Sequence, residues 1–399
     1  MHRFRLSWIA LASGLLLAAH ANAVEYGITA DLGGLPGFDL GAGGFGITDS
    51  GFVVGQAYAT AGTNGNFNAF TWTSGTGMVN MDPPLTGASG AFGVSPSGTY
   101  VVGQSFFSGA PQAFVYNTTD TSVTNPGALS YPNSSAEGVN NSGTVVGFAY
   151  NAIISDQFGS GVAFKWTSGG GIVSLGTLGG AYSSAIAINN NGDIAGTSNT
   201  VSGDQHAFII PNGGSMTDIG TLGGSVAVPK VITDSGVVLG YSDTATAGIT
   251  HAFMWTSGGG MVDLGNLGGT FSGAYGMDAA GDIIGDAYDS SGNDRAFIIL
   301  HGTSTMLDLN SLLDPADSGY TIEDALAITS TGEILAYGSN PLGQNDPFLL
   351  DVIPEPESLL LFVFAAVLLV PFARLRMSQR QLKPVLLRED RPKTRSRRS

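Results

Sequence analysis

The sequence predicts an all-β protein: a seven-bladed β-propeller of four-stranded blades, followed by a C-terminal transmembrane helix. Three observations predict it. Residues 251–292 hold four short apolar runs (AFMW, MVDLG, GAYGM and DIIGDAY) separated by Gly, Ser, Asn and Asp clusters, as strands joined by tight turns do. Ala-Phe pairs recur at Ala69, Ala113, Ala163, Ala207, Ala252 and Ala296, 44 to 50 residues apart, and Pro347-Phe348 follows as a last copy. A period in that range with about four strands per unit marks a propeller blade or a solenoid coil. The opening unit, residues 26–55, lacks the Ala-Phe strand, and residues 347–352 form a first strand with nothing after it. The orphan at one end is what the other end is missing, so the chain is expected to close into a ring. A β-solenoid is the alternative, and it would leave its ends apart.

Residues 1–23 read as a signal peptide. Basic MHRFR precedes an apolar run over residues 6–19, and Ala21 and Ala23 match the A-x-A pattern. Cleavage is expected after Ala23, because the run is short for an anchor. The repeat body then occupies residues 24–352.

In the first strand of each unit, Phe70 and Trp72, Phe164 and Trp166, and Phe253 and Trp255 sit two apart and share one face of a pleated strand. An aromatic sugar platform is one reading. Packing between units is the better one, since stacked repeats must bury a common face, and Tyr116, Ile210, Ile299 and Leu350 take the Trp slot elsewhere. After the second strand come Gly179-Gly180, Gly223-Gly224 and Gly268-Gly269, each closing a Leu-Gly-Gly run. No helix pattern follows them, so they read as turns with positive φ and not as phosphate cradles. Asn141-Ser-Gly, Asn191-Gly-Asp, Asp234-Ser-Gly, Ala280-Gly-Asp and Thr331-Gly-Glu read as hairpin turns between strands three and four.

Asp278, Asp282, Asp286, Asp289 and Asp294 are dense enough to raise calcium, but their spacing is not that of an EF-hand loop. His206 and His251 open strands at equivalent places and read as structural, and His301 stands alone. These histidines give neither a zinc site nor a triad. No catalytic residue, cofactor site or metal site is expected. The outliers, where chemistry would be sought, are Asp156 in an insertion over residues 151–161 and Asp314, Asp317, Glu323 and Asp324 in the seventh unit.

The formal net charge is −16, but it is divided: within residues 24–353 only Lys165, Lys230 and Arg295 face 27 Asp and Glu, while ten Lys and Arg follow residue 373. Such a body repels phosphate backbones and anionic lipid, which argues against nucleic acid. With no cysteine there are no disulfides, so stability must come from packing and closure.

Pro354, Glu355 and Pro356 precede an apolar run over residues 358–373, with Arg374 and Arg376 after it. Sixteen residues just span a bilayer core, and the basic residues should stay cytoplasmic. Residues 353–376 resemble the PEP-CTERM sorting signal of exopolysaccharide-producing Gram-negative bacteria, with Ile353 where Val is commoner and a basic tail, 377–399, longer than usual. The resemblance implies export, transient membrane anchoring and processing by an exosortase near Pro354, Glu355 and Pro356. The unit H-A-F-x-W … D-L-G-x-L-G-G … S-x-A … G-D-I-x-G resembles the HAF repeat of bacterial extracellular proteins, most closely over residues 206–248 and 251–292. That resemblance implies a secreted β-rich repeat protein and transfers no catalytic residues. Signal peptidase and exosortase are the partners expected during export. The expected function is a non-enzymatic binding or structural module at the cell surface or in the matrix, contacting exopolysaccharide or a surface protein. A secreted polysaccharide-cleaving enzyme is the alternative.

Overall fold

The computed structural model describes residues 24–353, apart from 39–41, 60–66, 83–84, 86, 108, 152, 155–156 and 159. Ala21, Ala23, Asp156, Pro354, Glu355, Pro356 and the expected membrane helix lie outside the described residues. No helix among the described residues is long and apolar enough to cross a membrane. The chain divides into two units, Met1–Val352 and Ile353–Ser399.

The described residues are all-β, a succession of four-stranded antiparallel meanders. Strand β1 (Glu25–Asp31) belongs to the final sheet. The first meander is β2 (Ala42–Ile47), β3 (Val53–Tyr58), β4 (Phe67–Thr73) and β5 (Gly77–Asn80), and the next is β6 (Ser89–Val94), β7 (Tyr100–Phe107), β8 (Ala110–Asn117) and β9 (Val123–Thr124). Strands β10 (Asn133–Val139) and β11 (Val145–Tyr150) come before a small hairpin, β12 (Ile153–Ile154) and β13 (Gln157–Phe158), which is the insertion. Their meander is completed by β14 (Gly161–Thr167) and β15 (Gly171–Gly176). Then follow β16 (Gly179–Ile188), β17 (Ile194–Thr200), β18 (Gln205–Ile210) and β19 (Thr217–Gly220), and β20 (Gly223–Ile232), β21 (Val238–Thr244), β22 (Thr250–Thr256) and β23 (Gly260–Asp263). After β24 (Gly268–Met277), β25 (Ile283–Asp289), β26 (Asp294–Ile299) and β27 (Leu307–Asp308) come two 3-10 turns. The described residues end in β28 (Thr321–Ile328), β29 (Ile334–Ser339) and β30 (Asn345–Ile353), whose sheet is completed by β1. The meanders from β10 to β27 are joined into one 16-stranded sheet by single parallel pairs, Gly161 with Tyr182, Gln205 with Val226 and Thr250 with Phe271.

The sheets and the sequence repeats are out of phase by two strands. Each sheet takes strands three and four of one repeat and strands one and two of the next. Residues 347–352 were expected to pair with the strands of residues 26–55; β30 pairs with β1 alone among them, while β2 and β3 belong to another sheet. The cause is the Leu-Gly-Gly run, which carries the chain off the outer edge of one sheet to the inner position of the next. Gly179, Gly223 and Gly268 take φ of 105°, 104° and 99°, a region that strains side chains bearing Cβ.

Packing repeats faithfully. Phe70, Phe114, Phe164, Phe208, Phe253, Phe297 and Phe348 are all fully buried, each worth on the order of 1.5–3 kcal/mol of transfer free energy. Trp72 is buried beside Phe70, and Trp166 and Trp255 pack half-buried against the adjoining clusters. These aromatics are core, not platform. The Ser of the S-x-A motif ties neighbouring sheets. Ser89, Ser134, Ser183 and Ser272 are fully buried, and their Oγ atoms accept from the backbone N–H of Ala69, Ala113, Ala163 and Ala252 at 2.8–3.0 Å. Turn-to-turn contacts add another tie: Ser97 N–H donates to Asn141, Asn141 N–H to Asn190 and Asn190 N–H to Asp234. Ser330 N–H donates to Asp49 Oδ1 at 2.7 Å, joining the last repeat to the first.

Candidate functional site

The inner strands of the sheets surround a cavity of 1310 Å³. What faces it follows from one recurring irregularity. In β2, β6, β10, β16, β20 and β24 the pairing with the next strand skips a residue right after the motif's third position. A classic bulge re-aims a side chain. The skipped residues are Phe45, Phe92, Glu137, Ile186, Lys230 and Tyr275, with Leu326 at the same place in β28, and all line the cavity. Behind each bulge the two backbones approach closely. At Gly196 and Gly285, for example, a Cβ would collide with the carbonyl oxygens of Ser184 and Gly273.

This ring is chemically mixed where the core is uniform. Phe45 and Phe92 meet edge to face with centroids 5.9 Å apart. Phe148, Tyr150 and Tyr182 form an aromatic group, with Phe148 centroids 5.1 Å and 6.1 Å from the two tyrosines. Burial raises the Tyr182 hydroxyl well above its ordinary pKa, with a hydrogen bond to Ser184 opposing. Gln104 Nε2 donates to the Tyr150 hydroxyl at 3.0 Å. Opposite charges occupy the same ring. Ser135 Oγ donates to Glu137 Oε1 at 2.5 Å. Enclosure raises the Glu137 carboxyl above its usual range, while the Ser135 bond and Lys230 pull it back. The Lys230 ammonium lies 5.6 Å and 5.9 Å from the centroids of Tyr241 and Tyr275. Protein surrounds it, which lowers its pKa against the attraction of Glu137 and Asp286. The side chain is nevertheless exposed to the lumen, so it remains available to a bound molecule.

Beside Tyr275 stands an acidic group. Asp286 on β25 lies opposite Ala296 on β26, and Asp294 two residues earlier shares its face. Asp324 reaches them from β28 of the next sheet. The three present carboxylate oxygens that all lie within 4.8 Å of one another. Asp286 is pushed up to about 7 by burial and then by the like charges of Asp324 and Asp294, against a hydrogen bond from the Tyr275 hydroxyl. Asp324 is pushed up to about 6 by burial, then by Asp294 and Glu323.

Of the sequence-singled residues, the structure brings Asp286, Asp294 and Asp324 together, while Asp278 and Asp282 lie in a turn and Asp289 ends β25 and caps the turn after it. Asp278 Oδ1 accepts from the N–H groups of Gly281 and Asp282, and Asp289 Oδ1 from those of Ser291 and Asn293. Asp314 caps a 3-10 turn by accepting from Ala316 N–H, and Asp317 accepts from Ile28 N–H. Glu323 is itself the residue skipped at a second bulge in β28. His206 and His251 are structural, their Nδ1 atoms 2.9 Å from Asp218 and Asp263. Sequence reasoning missed the lumen ring. Its signal is the one column after S-x-A that refuses to repeat.

No family model matches the chain, and no curated protein matches it. Among solved structures, it is similar to a puromycin-hydrolyzing peptidase of Mycobacterium tuberculosis at 12% identity and TM-score 0.50, over 79% of this chain and 52% of that one. It is similar to an acylaminoacyl peptidase at 11% identity and TM-score 0.50, over 78% of this chain and 51% of that one. A third similarity, to TolB of Acinetobacter baumannii, has 15% identity and TM-score 0.38, over 52% of this chain and 49% of that one. The chain thus spans about half the length of these proteins. At such identities the likeness shows the fold alone, and the fold is of β-propeller type.

Proposed function

We propose that the chain is a seven-bladed β-propeller, exported and displayed at or released from the surface of a Gram-negative bacterium, whose central channel binds an extracellular glycan without cleaving it. One observation carries the binding reading: the ring Phe45, Phe92, Glu137, Ile186, Lys230, Tyr275 and Leu326 varies in kind while the seven core phenylalanines do not. Packing accepts any apolar residue that fits, as the Trp slot does with Tyr, Ile and Leu; a ring that mixes Glu and Lys with aromatics answers instead to what fills the cavity. Flat aromatic faces beside hydroxyls, amides and a carboxyl suit a sugar, whose C–H faces are apolar and whose rim donates and accepts. The strongly acidic body disfavours a polyanion, so a neutral polymer fits best.

The blade count rests on strand order: each sheet is a four-stranded meander once the 16-stranded sheet is divided at its single parallel pairs. The address rests on the two terminal patterns. Signal peptidase acts after Ala23, the apolar run over residues 358–373 holds the chain in the inner membrane, and an exosortase processes it near Pro354, Glu355 and Pro356. Intact chain through Ser399 in the inner membrane, found by mass spectrometry, would instead establish a plain anchor.

Retention of the protein on purified cell-surface polysaccharide tests the function. Wild type is retained with the polymer length unchanged, and Tyr182→Ala weakens retention about tenfold, as loss of about 1.4 kcal/mol does. Equal retention of both proteins would remove the channel from the account. The alternative, a polysaccharide-cleaving enzyme, is favoured by Glu137 and Asp324 facing one cavity with raised pKa values. New reducing or unsaturated ends would establish it.

A further inference from the structure

The acidic group beside the channel has a property its sequence spacing hides. Asp286 and Asp294 lie on one sheet and Asp324 on its neighbour, and β28 packs against both β25 and β26. Asp286 is only 4% exposed. Its Oδ1 accepts from no donor, nor does Oδ1 of Asp294, and both atoms are buried. A buried carboxylate oxygen without a donor costs several kcal/mol, so such atoms are ordinarily hydrogen-bonded or bound to a metal. The nearby basic side chains attract the group only across a distance. Arg295 pairs with Asp289 at 3.5 Å, and Lys230 is turned to the faces of Tyr241 and Tyr275. Among the described residues neither forms an ion pair with the three carboxylates.

We propose that Asp286, Asp294 and Asp324 bind a hard divalent cation, calcium best, which joins two adjacent sheets at the wall of the channel. The donors are all oxygen, with no His or Cys, which selects calcium, magnesium or manganese over zinc or copper. Oxygens within 4.8 Å of one another can share a central ion, since two calcium–oxygen bonds of about 2.4 Å reach that far. Three protein carboxylates leave positions for water or for a ligand in the lumen, and Asp324 itself lines the cavity. Calcium's tolerance of irregular, part-hydrated shells suits a site assembled from two sheets better than magnesium's strict octahedron does. The Tyr275 hydroxyl holds Asp286 from the channel side and fixes one carboxylate in place. The proposal does not depend on glycan binding. The competing arrangement is a proton shared between Asp286 and Asp294, and it responds to no metal.

The experiment uses the full-length chain, stripped with chelator and dialysed, then titrated separately with calcium, magnesium and manganese while melting is followed. Calcium should raise Tm by about 3 °C or more, saturably and more than magnesium does, as a ligand specific to the folded state must. Asp286→Asn and Asp324→Asn should each melt at or above metal-free wild type, because a like charge is removed, yet lose the calcium increment. Terbium luminescence excited through tyrosine gives a second reading at the same site. It should appear in wild type, be displaced by calcium, and fall at least fivefold in both variants. Equal calcium increments in wild type and variants would place the ion elsewhere and overturn the proposal. No response to any of the three cations would leave the shared proton and overturn it equally.

Discussion

At the scale of single residues, this chain separates positions that must repeat from positions that must not. Phe253 and its six counterparts are equivalent parts, each fully buried in a cluster of its own. Glu137 is the opposite case, a carboxyl in a place where the other repeats have Phe, Ile, Lys, Tyr or Leu. Its carboxyl is raised by enclosure, so the folded chain holds that proton more tightly than the unfolded chain does. The sign follows: stability contributed by this group falls as pH climbs above its ordinary 4.5 and stops falling once the carboxyl has ionised. Glu137→Gln removes the effect. The difference in Tm, variant minus wild type, should grow from near zero at about pH 4 to a positive value by about pH 8. A constant difference across that range would show that the carboxyl is solvated as in water.

At the scale of elements, the sheets are held together less by backbone pairing than by a serine in each of several seams. Ser272 Oγ accepts from Ala252 N–H at 2.8 Å and donates to Gly265 O at 2.6 Å, linking β24 to the preceding sheet. In Ser272→Ala the buried N–H has no acceptor. Unfolding free energy should drop by about 1–3 kcal/mol, read as a lower urea midpoint with an unchanged slope. A midpoint within error of wild type would mean that water replaces the hydroxyl. These seams were written in the sequence as S-x-A, and so were the strands, the positive-φ glycines and the hairpin turns, because each recurs and repetition exposes it. Two things were not legible. The bulge after S-x-A needs the pairing register, so the lumen ring passed as a run of unrelated residues. Asp324 follows Asp286 by 38 positions and meets it only because β28 of the neighbouring sheet packs against β25 and β26. Spacing along the chain could pair Asp286 with Asp282 or Asp289, which the fold puts in different places.

At the scale of the whole molecule, closure is the decisive feature. Strand β30 brings Phe348 and Leu350, both fully buried, and Leu349 at 3% exposure, and it pairs β29 on one side and β1 on the other. A chain ending at Gln344 loses that strand. The apolar burial forfeited is on the order of 5 kcal/mol or more, comparable to the whole stability of many domains. Such a truncation should melt at least about 10 °C lower than the full chain or fail to fold cooperatively. Unchanged melting would show that β1 and β30 are ornamental.

The two-strand offset between repeat and sheet also sets a timetable. Thr29 Oγ1 donates to the backbone carbonyl of Leu349 across 320 positions, so β1 must wait, with an open edge, until nearly the entire body has been made. Contacts of such separation form late and slowly. The strand that ends the wait finishes at Ile353, one residue before Pro354. A pull on the chain just past Ile353 therefore falls on the last strand to be seated, the one that clasps the first sheet strand to the last.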